Sequence, residues 1–234
     1  MNSFEMSKLM DIIGSVPQRP DYHAEGPVGI HTRMVRAQLD KAISLIQKEA
    51  SKPNSFLSNL DTNYTEQDRN ILRMAAWLHD IGKASATKIG GIHWQDERRL
   101  KNLYGDKPNL GQARAIGHEQ FYHFNPMARE LMKSSLWKKM YDNAGFEDKK
   151  DLWFIINHHM DVTKSKKMLR RNIDPDGKFR NDRRLKLLLA FSLMDKMGRI
   201  SGMPMQFSDE DAYFQELEAA SQKVKKMNLY VNLL

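Results

Sequence analysis

The sequence predicts an all-α fold with one domain. Apolar residues recur at steps of three and four along most of the chain, which is the spacing of helices that bury one face. No segment shows a convincing alternation of apolar and polar residues, so we expect no strands. The 234 residues contain no internal repeat, and this length suits one large domain or two small ones with a buried core.

The first helix is expected to begin at Pro27, a favoured first-turn residue, and to run to about Ala50. Residues 65–68 resemble a capping box and predict a second helix that ends at Gly82. Between residues 84 and 112, four glycines and a proline predict a long irregular excursion, of the kind that often serves as a lid or binding loop.

The remaining helices are expected over residues 117–124, 126–133, 148–160, 181–198 and 208–228. Asn181 is the expected N-cap of the fourth of these, and three acids at 209–211 favour the start of the last. The chemistry-bearing sequence motifs fall between residues 17 and 200, so the last predicted helix lies outside them.

The composition excludes several classes of protein. Without cysteine, the chain cannot form disulfides, Cys-ligated zinc sites, iron–sulfur clusters or a thiol nucleophile. No apolar run approaches the ~20 residues of a membrane span, and the first residues lack a signal-peptide pattern. We therefore expect a cytoplasmic protein without a membrane partner. The motifs of dinucleotide oxidoreductases, P-loop NTPases, serine hydrolases and zincins are also missing.

Positive charge is concentrated in one stretch. The net charge is +8, and residues 164–186 hold ten cations against three acids. Such a stretch is typical of a solvated face, but it also favours binding of phosphates in RNA, DNA or nucleotides. Candidate phosphate contacts here and elsewhere are Lys83, Arg98, Arg99, Lys164, Lys167 and Arg199.

Several histidines and carboxylates lie at the ends or inner faces of predicted helices. Taken singly, each is typical of a hydrogen-bonded core residue. Several inward imidazoles together with two carboxylates are more easily satisfied by a divalent metal, and helical bundles often hold such sites. The residues are His31, His79, Asp80, His118, His158, His159 and Asp195.

These residues, in this order, resemble the H…HD…H…H…D signature of the HD superfamily of metal-dependent phosphohydrolases. The stretches YHAEGPVGIHT, AWLHDIGK, GHE and MDKMGR are similar to the HD domain of bacterial tRNA nucleotidyltransferases, the CCA-adding enzymes. Ala24 and Pro27 depart from that domain's pattern, and its nucleotidyltransferase head has no counterpart here. The resemblance therefore implies a single HD-type helical bundle that carries only the hydrolytic activity.

The resemblance also implies one or two divalent ions, which on these ligands are Mn, Ni, Co, Fe, Zn or Mg. A first ion is implied at His31, His79, Asp80 and Asp195. A second ion is implied at His118 and one or both of His158 and His159, and Asp80 would bridge the two ions. Of the two adjacent histidines, His158 aligns better with the family members that have a single histidine there. His23, Glu25 and Glu119 are expected to hydrogen-bond ligands, although either acid also suits an ordinary helix start. Lys83 is expected to contact phosphate or, alternatively, to pair with Asp80 or Glu119.

The implied activity is a phosphatase or 2′,3′-cyclic phosphodiesterase with Asp80 and Lys83 in the catalytic site. Its partner is then a phosphorylated small molecule, a nucleotide or an RNA end. Three alternatives remain open on the residues: a nucleoside or deoxynucleoside triphosphate hydrolase, a di-iron HD-type oxygenase, and a non-catalytic nucleic-acid-binding module.

Overall fold

A computed structural model of the protein describes residues 10–11, 13–107, 110–115, 146–160, 162, 171–200 and 210–231. This part of the chain is mostly helical, as the sequence predicts. Its elements are α1 (Val28–Ala37), α2 (Leu39–Ala50), α3 (Glu66–Leu78), α4 (Lys83–Ala86), β1 (Thr87–Ile89), β2 (Ile92–His93), α5 (Glu97–Tyr104), a 3-10 turn (Leu110–Gln112), β3 (Ala113–Ala115), α6 (Phe146–His158), α7 (Arg183–Met197) and α8 (Glu210–Val231).

The chain forms two compact units. Unit 1 comprises residues 1–36, 76–149 and 198–206, and unit 2 comprises residues 37–75, 150–197 and 207–234. No helix in the described ranges is both long and apolar enough to cross a membrane. The helices predicted over 117–124 and 126–133 lie outside the described residues.

Unit 1 contains a small sheet that the sequence analysis did not predict. Its strands are antiparallel in the order β2-β1-β3, within and just after the segment expected to be irregular. Ile89 packs with Leu100 of α5 and Ala113 of β3 in a small core. The strands have two or three residues each, which is too short for an alternating pattern to be recognised, so the expectation of no strands was wrong.

Unit 2 is built around α7. Most of this helix is buried, including Leu187, Leu188, Phe191 and Leu193, and a helix that is apolar on every side belongs in a core. It packs against α2 and α8. Tyr213 of α8 is buried and donates a hydrogen bond to the Leu189 carbonyl.

Two helix starts in unit 2, those of α3 and α7, carry side-chain caps. The predicted capping box is confirmed, because Thr65 Oγ1 accepts from the Asp68 amide and Asp68 Oδ2 accepts from the Thr65 amide, both at 3.1 Å. The predicted cap of α7 was wrong: Asp182 Oδ1 accepts from the Leu185 amide at 2.9 Å, while Asn181 Oδ1 accepts from the Asp61 amide. The Asn181 side chain therefore hydrogen-bonds a neighbouring loop instead of capping α7.

The first predicted helix is two helices. The expected span from Pro27 to Ala50 is divided at Gln38, where ψ is −2° rather than the ~−42° of an α-helix. The apolar stripe continues across this break, with Val35, Leu39 and Ala42 all buried. Periodicity therefore located the buried face correctly but could not locate the interruption.

Candidate metal centre

Two histidines and an aspartate bring three acceptor atoms together in unit 1. His31 lies in the first turns of α1, and His79 and Asp80 directly follow the last residue of α3. The Nε2 atoms of His31 and His79 are 3.4 Å apart, and Asp80 Oδ2 lies 3.8 Å from the first and 3.4 Å from the second. All three residues are buried.

The outer nitrogens of both rings are already engaged with oxygen acceptors. His31 Nδ1 lies 3.1 Å from Glu25 Oε1 and 3.2 Å from the Gly198 carbonyl, and His79 Nδ1 lies 3.1 Å from the Ala76 carbonyl. Carbonyls accept hydrogen bonds and do not donate them, so we assign the proton of each neutral ring to Nδ1. The lone pair of each Nε2 then faces Asp80 and the other ring.

Such a convergence requires a positive charge at its middle, from a shared proton or a metal ion. A triangle with sides of 3.4, 3.4 and 3.8 Å has its corners about 2 Å from its centre, which matches an ordinary imidazole–metal bond of ~2.0–2.1 Å. The donor set of two imidazoles and one carboxylate suits zinc, iron, manganese or nickel. His31, His79 and Asp80 therefore fit a divalent ion, which three ligands would leave with open coordination positions.

Glu25 orients His31 from behind. Its Oε1 lies 2.7 Å from His23 Nδ1 and 3.1 Å from His31 Nδ1, and its Oε2 accepts from the Ile200 amide at 2.9 Å. Burial by itself raises the pKa of Glu25, but these three hydrogen bonds outweigh it and hold the pKa below its usual range. An ionised carboxylate behind a ligating histidine fixes the ring tautomer and raises the basicity of the ring.

His23 contributes to this arrangement as a neutral donor. Its ring packs edge-on against His31 at 4.9 Å between centroids. Burial lowers the pKa of His23, the hydrogen bond to Glu25 opposes that change, and the nearby positive charges of Lys83 and Arg199 lower the pKa further. The sequence-based expectation of a hydrogen bond to a candidate ligand fits Glu25, whereas His23 hydrogen-bonds Glu25 and packs against His31.

Lys83 binds the same carboxylate oxygen of Asp80 that lies near the two rings. Its Nζ donates to Asp80 Oδ2 at 2.6 Å and to Gln18 Oε1 at 2.8 Å, and Gln18 Nε2 donates to the Gly26 carbonyl at 3.2 Å. Burial raises the pKa of Asp80, but its neighbours, foremost the charge of Lys83, outweigh burial and hold the pKa well below its usual range. Of the two alternatives for Lys83, the ion pair with Asp80 is thus present.

Two contributors to this centre were missed by the sequence analysis. Gln18 is buried but lies in a proline-flanked loop without periodicity, so no pattern marked it. Gly198 brings its carbonyl to His31, and a Cβ there would lie 2.6–2.7 Å from Val35, so only glycine permits this approach. The similarity of residues 194–199 to a glycine-containing family motif was the available signal for Gly198.

The other predicted ligands belong to different parts of the chain. His158, His159 and Asp195 lie in unit 2, where His159 and Asp195 are buried. His159 Nδ1 lies 2.8 Å from the Ile156 carbonyl, the same contact to the third preceding residue that His79 makes. His158 instead packs on Phe154 with ring centroids 4.8 Å apart. His118 and Glu119 lie outside the described residues.

The predicted phosphate contacts are dispersed. Arg98 and Arg99 are exposed on α5. The Arg99 amide donates to the side chain of Asp96, which caps the start of that helix. Arg199 is half-buried, near enough to His23 for its charge to lower the pKa of that ring. Lys164 and Lys167 lie outside the described residues.

Part of the basic stretch serves an internal ion-pair cluster in unit 2. Arg183 pairs with both Asp68 and Asp151, Arg184 pairs with Asp151, and the buried Lys186 pairs with Asp68 at 3.0 Å. Burial raises the pKa of Asp68, but Lys186, the Thr65 amide and Arg183 outweigh it and lower the pKa. These three cations are therefore paired with acids of unit 2, whereas the charge count favoured a solvated or phosphate-attracting face.

No protein-family model matches the chain, and no curated protein or solved structure matches it.

Proposed function

We propose that this protein is a metal-dependent phosphohydrolase of the HD superfamily that acts on a nucleotide or an RNA end. The observation that carries the proposal is the convergence of His31 Nε2, His79 Nε2 and Asp80 Oδ2 within 3.4–3.8 Å of one another. Both rings are fixed in the ligating tautomer, and the residues match the family's first motifs. Lys83 adds a cation for a phosphate beside the ligands.

Each residue has a distinct role in this proposal. His31, His79 and Asp80 hold the ion, while Glu25 and His23 keep the His31 ring oriented. A bound divalent ion supplies positive charge for phosphate oxygens and lowers the pKa of water. An ammonium has three donors, and Asp80 and Gln18 account for two of those of Lys83. The third is the donor we assign to a phosphate oxygen of the substrate.

Of the paired histidines in unit 2, the contacts favour His159 as the ligand. Its Nδ1 points to a backbone carbonyl, as that of His79 does, which is the orientation typical of a histidine that ligates a metal through Nε2. His158 is less buried and lies against Phe154. We therefore expect His159→Ala to lower activity far more than His158→Ala, contrary to the better alignment of His158.

The test begins with metal content. The purified protein is stripped of metal, and Mn²⁺, Ni²⁺, Co²⁺, Fe²⁺, Zn²⁺ and Mg²⁺ are titrated against a competing chelator. We expect His79→Ala to bind the preferred ion at least 100-fold more weakly, since removal of groups that merely support ligands already costs about 10–100-fold. His93→Ala, which removes a half-buried histidine of β2, is the matched control. Unchanged metal affinity in His79→Ala, with an intact helical circular-dichroism spectrum, contradicts the proposal.

The second stage identifies the reaction. The metal-loaded protein is assayed with phosphomonoesters, 2′,3′-cyclic nucleotides, deoxynucleoside triphosphates and 3′-phosphorylated RNA. Release of inorganic phosphate from a terminal ester, or opening of a cyclic ester, supports the proposal, whereas release of triphosphate favours the nucleotide triphosphohydrolase. Dioxygen uptake with bound iron favours the oxygenase, and RNA binding with steep salt dependence and no turnover favours the binding module.

A further inference from the structure

An exposed aromatic ring lies beside the candidate metal centre. Tyr22 is 43% exposed, whereas the side chain of the adjacent His23 is only 12% exposed and packs against His31. The amides of Tyr22 and His23 both donate to the Arg19 carbonyl, so this segment forms a tight turn. Tyr22 is thereby held next to a residue that touches the centre.

Arg19 lies against this ring with one donor unused. Its guanidinium carbon is 5.0 Å from the centroid of the Tyr22 ring, and its Nη2 pairs with Asp21. Among the residues that the structure describes, Arg19 Nε has neither solvent exposure nor a hydrogen-bond acceptor. The guanidinium is therefore packed against one face of the Tyr22 ring and helps to hold that ring in place.

Two exposed apolar side chains border the same turn. Ile30 is 43% exposed, and its δ-methyl lies 3.8 Å from the position of a Cβ on Gly26. Ile200 is 50% exposed, and its main chain bonds to Ala24 and to the Glu25 carboxylate. Apolar surface gathered beside a buried polar centre is typical of a ligand site.

We propose that Tyr22, Arg19, Ile30 and Ile200 form a subsite for the nucleobase of a nucleotide whose phosphate lies at the metal centre. The subsite deepens the proposed function and rests on it. Aromatic rings bind bases by stacking, whichever base is present, and the apolar neighbours exclude water from the stack. The Arg19 guanidinium packs on the Tyr22 ring and supports it as a stacking platform. A sugar phosphate without a base makes none of the stacking contacts.

Ligand binding to the full chain is measured in the absence of metal, so that the ligand is not hydrolysed during the titration. Adenosine 5′-monophosphate and ribose 5-phosphate are titrated by isothermal calorimetry, and ring contacts are followed by saturation-transfer NMR. We expect the nucleotide to bind about tenfold more tightly, in line with the loss on removing one base–aromatic stack. Tyr22→Ala removes this difference and Tyr22→Phe keeps it. Leu103→Ala, at an exposed apolar residue elsewhere in unit 1, leaves it unchanged.

Equal affinity for the two ligands in the native protein, or an unchanged difference in Tyr22→Ala, overturns the subsite. If the subsite holds but the metal titration fails, the hydrolase proposal fails while the base-binding site stands. If metal binding holds and the base adds nothing, the subsite alone fails. The last ligand tested is a 3′-phosphorylated adenine dinucleotide. If it binds more tightly than the mononucleotide and this binding depends on Tyr22, the substrate is an RNA end. If the two ligands bind equally, the substrate is a free nucleotide.

Discussion

His31 and His79 turn their Nε2 atoms towards each other at 3.4 Å, although the Nδ1 of each ring already lies against a backbone carbonyl. Two neutral rings held in this way place two lone pairs and the Asp80 carboxylate around one point. Two imidazoles and one carboxylate are a donor set that suits a divalent ion. The contacts behind the rings would hold them in the orientation that such an ion needs.

Removing the charge of Glu25 tests this role of the contacts behind the rings. We expect Glu25→Gln to weaken metal binding by about 10–100-fold, as is usual for partners of ligating histidines, because an amide no longer holds the proton on His31 Nδ1 as strongly. Chelator-competition titration measures the effect. Glu97→Gln, at an exposed acid in the first turn of α5, serves as the control and should bind metal normally. Equal affinities in the two variants would show that Glu25 has no part in ligation.

Gln18 and Lys83 are expected to act as one unit. Loss of a charged donor to the reacting group typically lowers turnover by about 10²–10³-fold, so we expect this for Lys83→Met at saturating metal. Gln18→Leu leaves the ammonium in place but removes its second anchor, and we expect about a tenfold loss. The double variant should be no slower than Lys83→Met, since groups in one network are not additive. If the loss of turnover in the double variant equals the product of the losses in the two single variants, Gln18 and Lys83 act independently and the expectation is contradicted.

Asp68 should make the stability of unit 2 depend on pH. Its pKa is lowered in the folded protein, so its contribution is complete above the unfolded-state pKa of ~4 and is lost as the pH falls through the lower folded-state value. Urea unfolding of the native protein between pH 3 and 6 should show this decline. We expect Asp68→Asn to flatten the profile there and to cost about 3–5 kcal/mol at pH 7, because buried Lys186 loses its partner.

Gly177 should resist substitution more than another glycine with a positive φ. Gly177 has φ of +81°, and a Cβ there would lie 3.2 Å from Lys225 on α8, whereas Gly91 has φ of +87° and no neighbour within 4 Å. Both Gly→Ala changes incur backbone strain, typically more than about 1 kcal/mol. Only Gly177→Ala adds crowding against α8, so its unfolding free energy should fall further. If chemical denaturation shows that the two variants lose the same free energy of unfolding, α8 moves to accommodate the added methyl group without destabilising the protein.

The helical parts of this protein follow from its sequence. The apolar stripe of α1 and α2, the capping box at residues 65–68 and the apolar segment of α7 are all local patterns, and the structure has helices at each. The sequence also marked His31, His79 and Asp80, because polar groups on apolar helix faces and ends need partners. The expected HD-type single domain stays a prediction.

The tertiary structure decided what local patterns could not. Gln18, Gly198 and the Ile200 amide reach the centre from segments far apart in the chain, and no apolar periodicity in their own surroundings distinguishes them. The short sheet forms because Ile89, Leu100 and Ala113 bury one another, which depends on packing rather than on strand periodicity. Part of the basic stretch likewise forms an ion-pair cluster at Arg183 and Lys186, because a charge count does not show which acids the fold brings near. Sequence determines which residues must be buried or paired, and only the folded chain selects their partners.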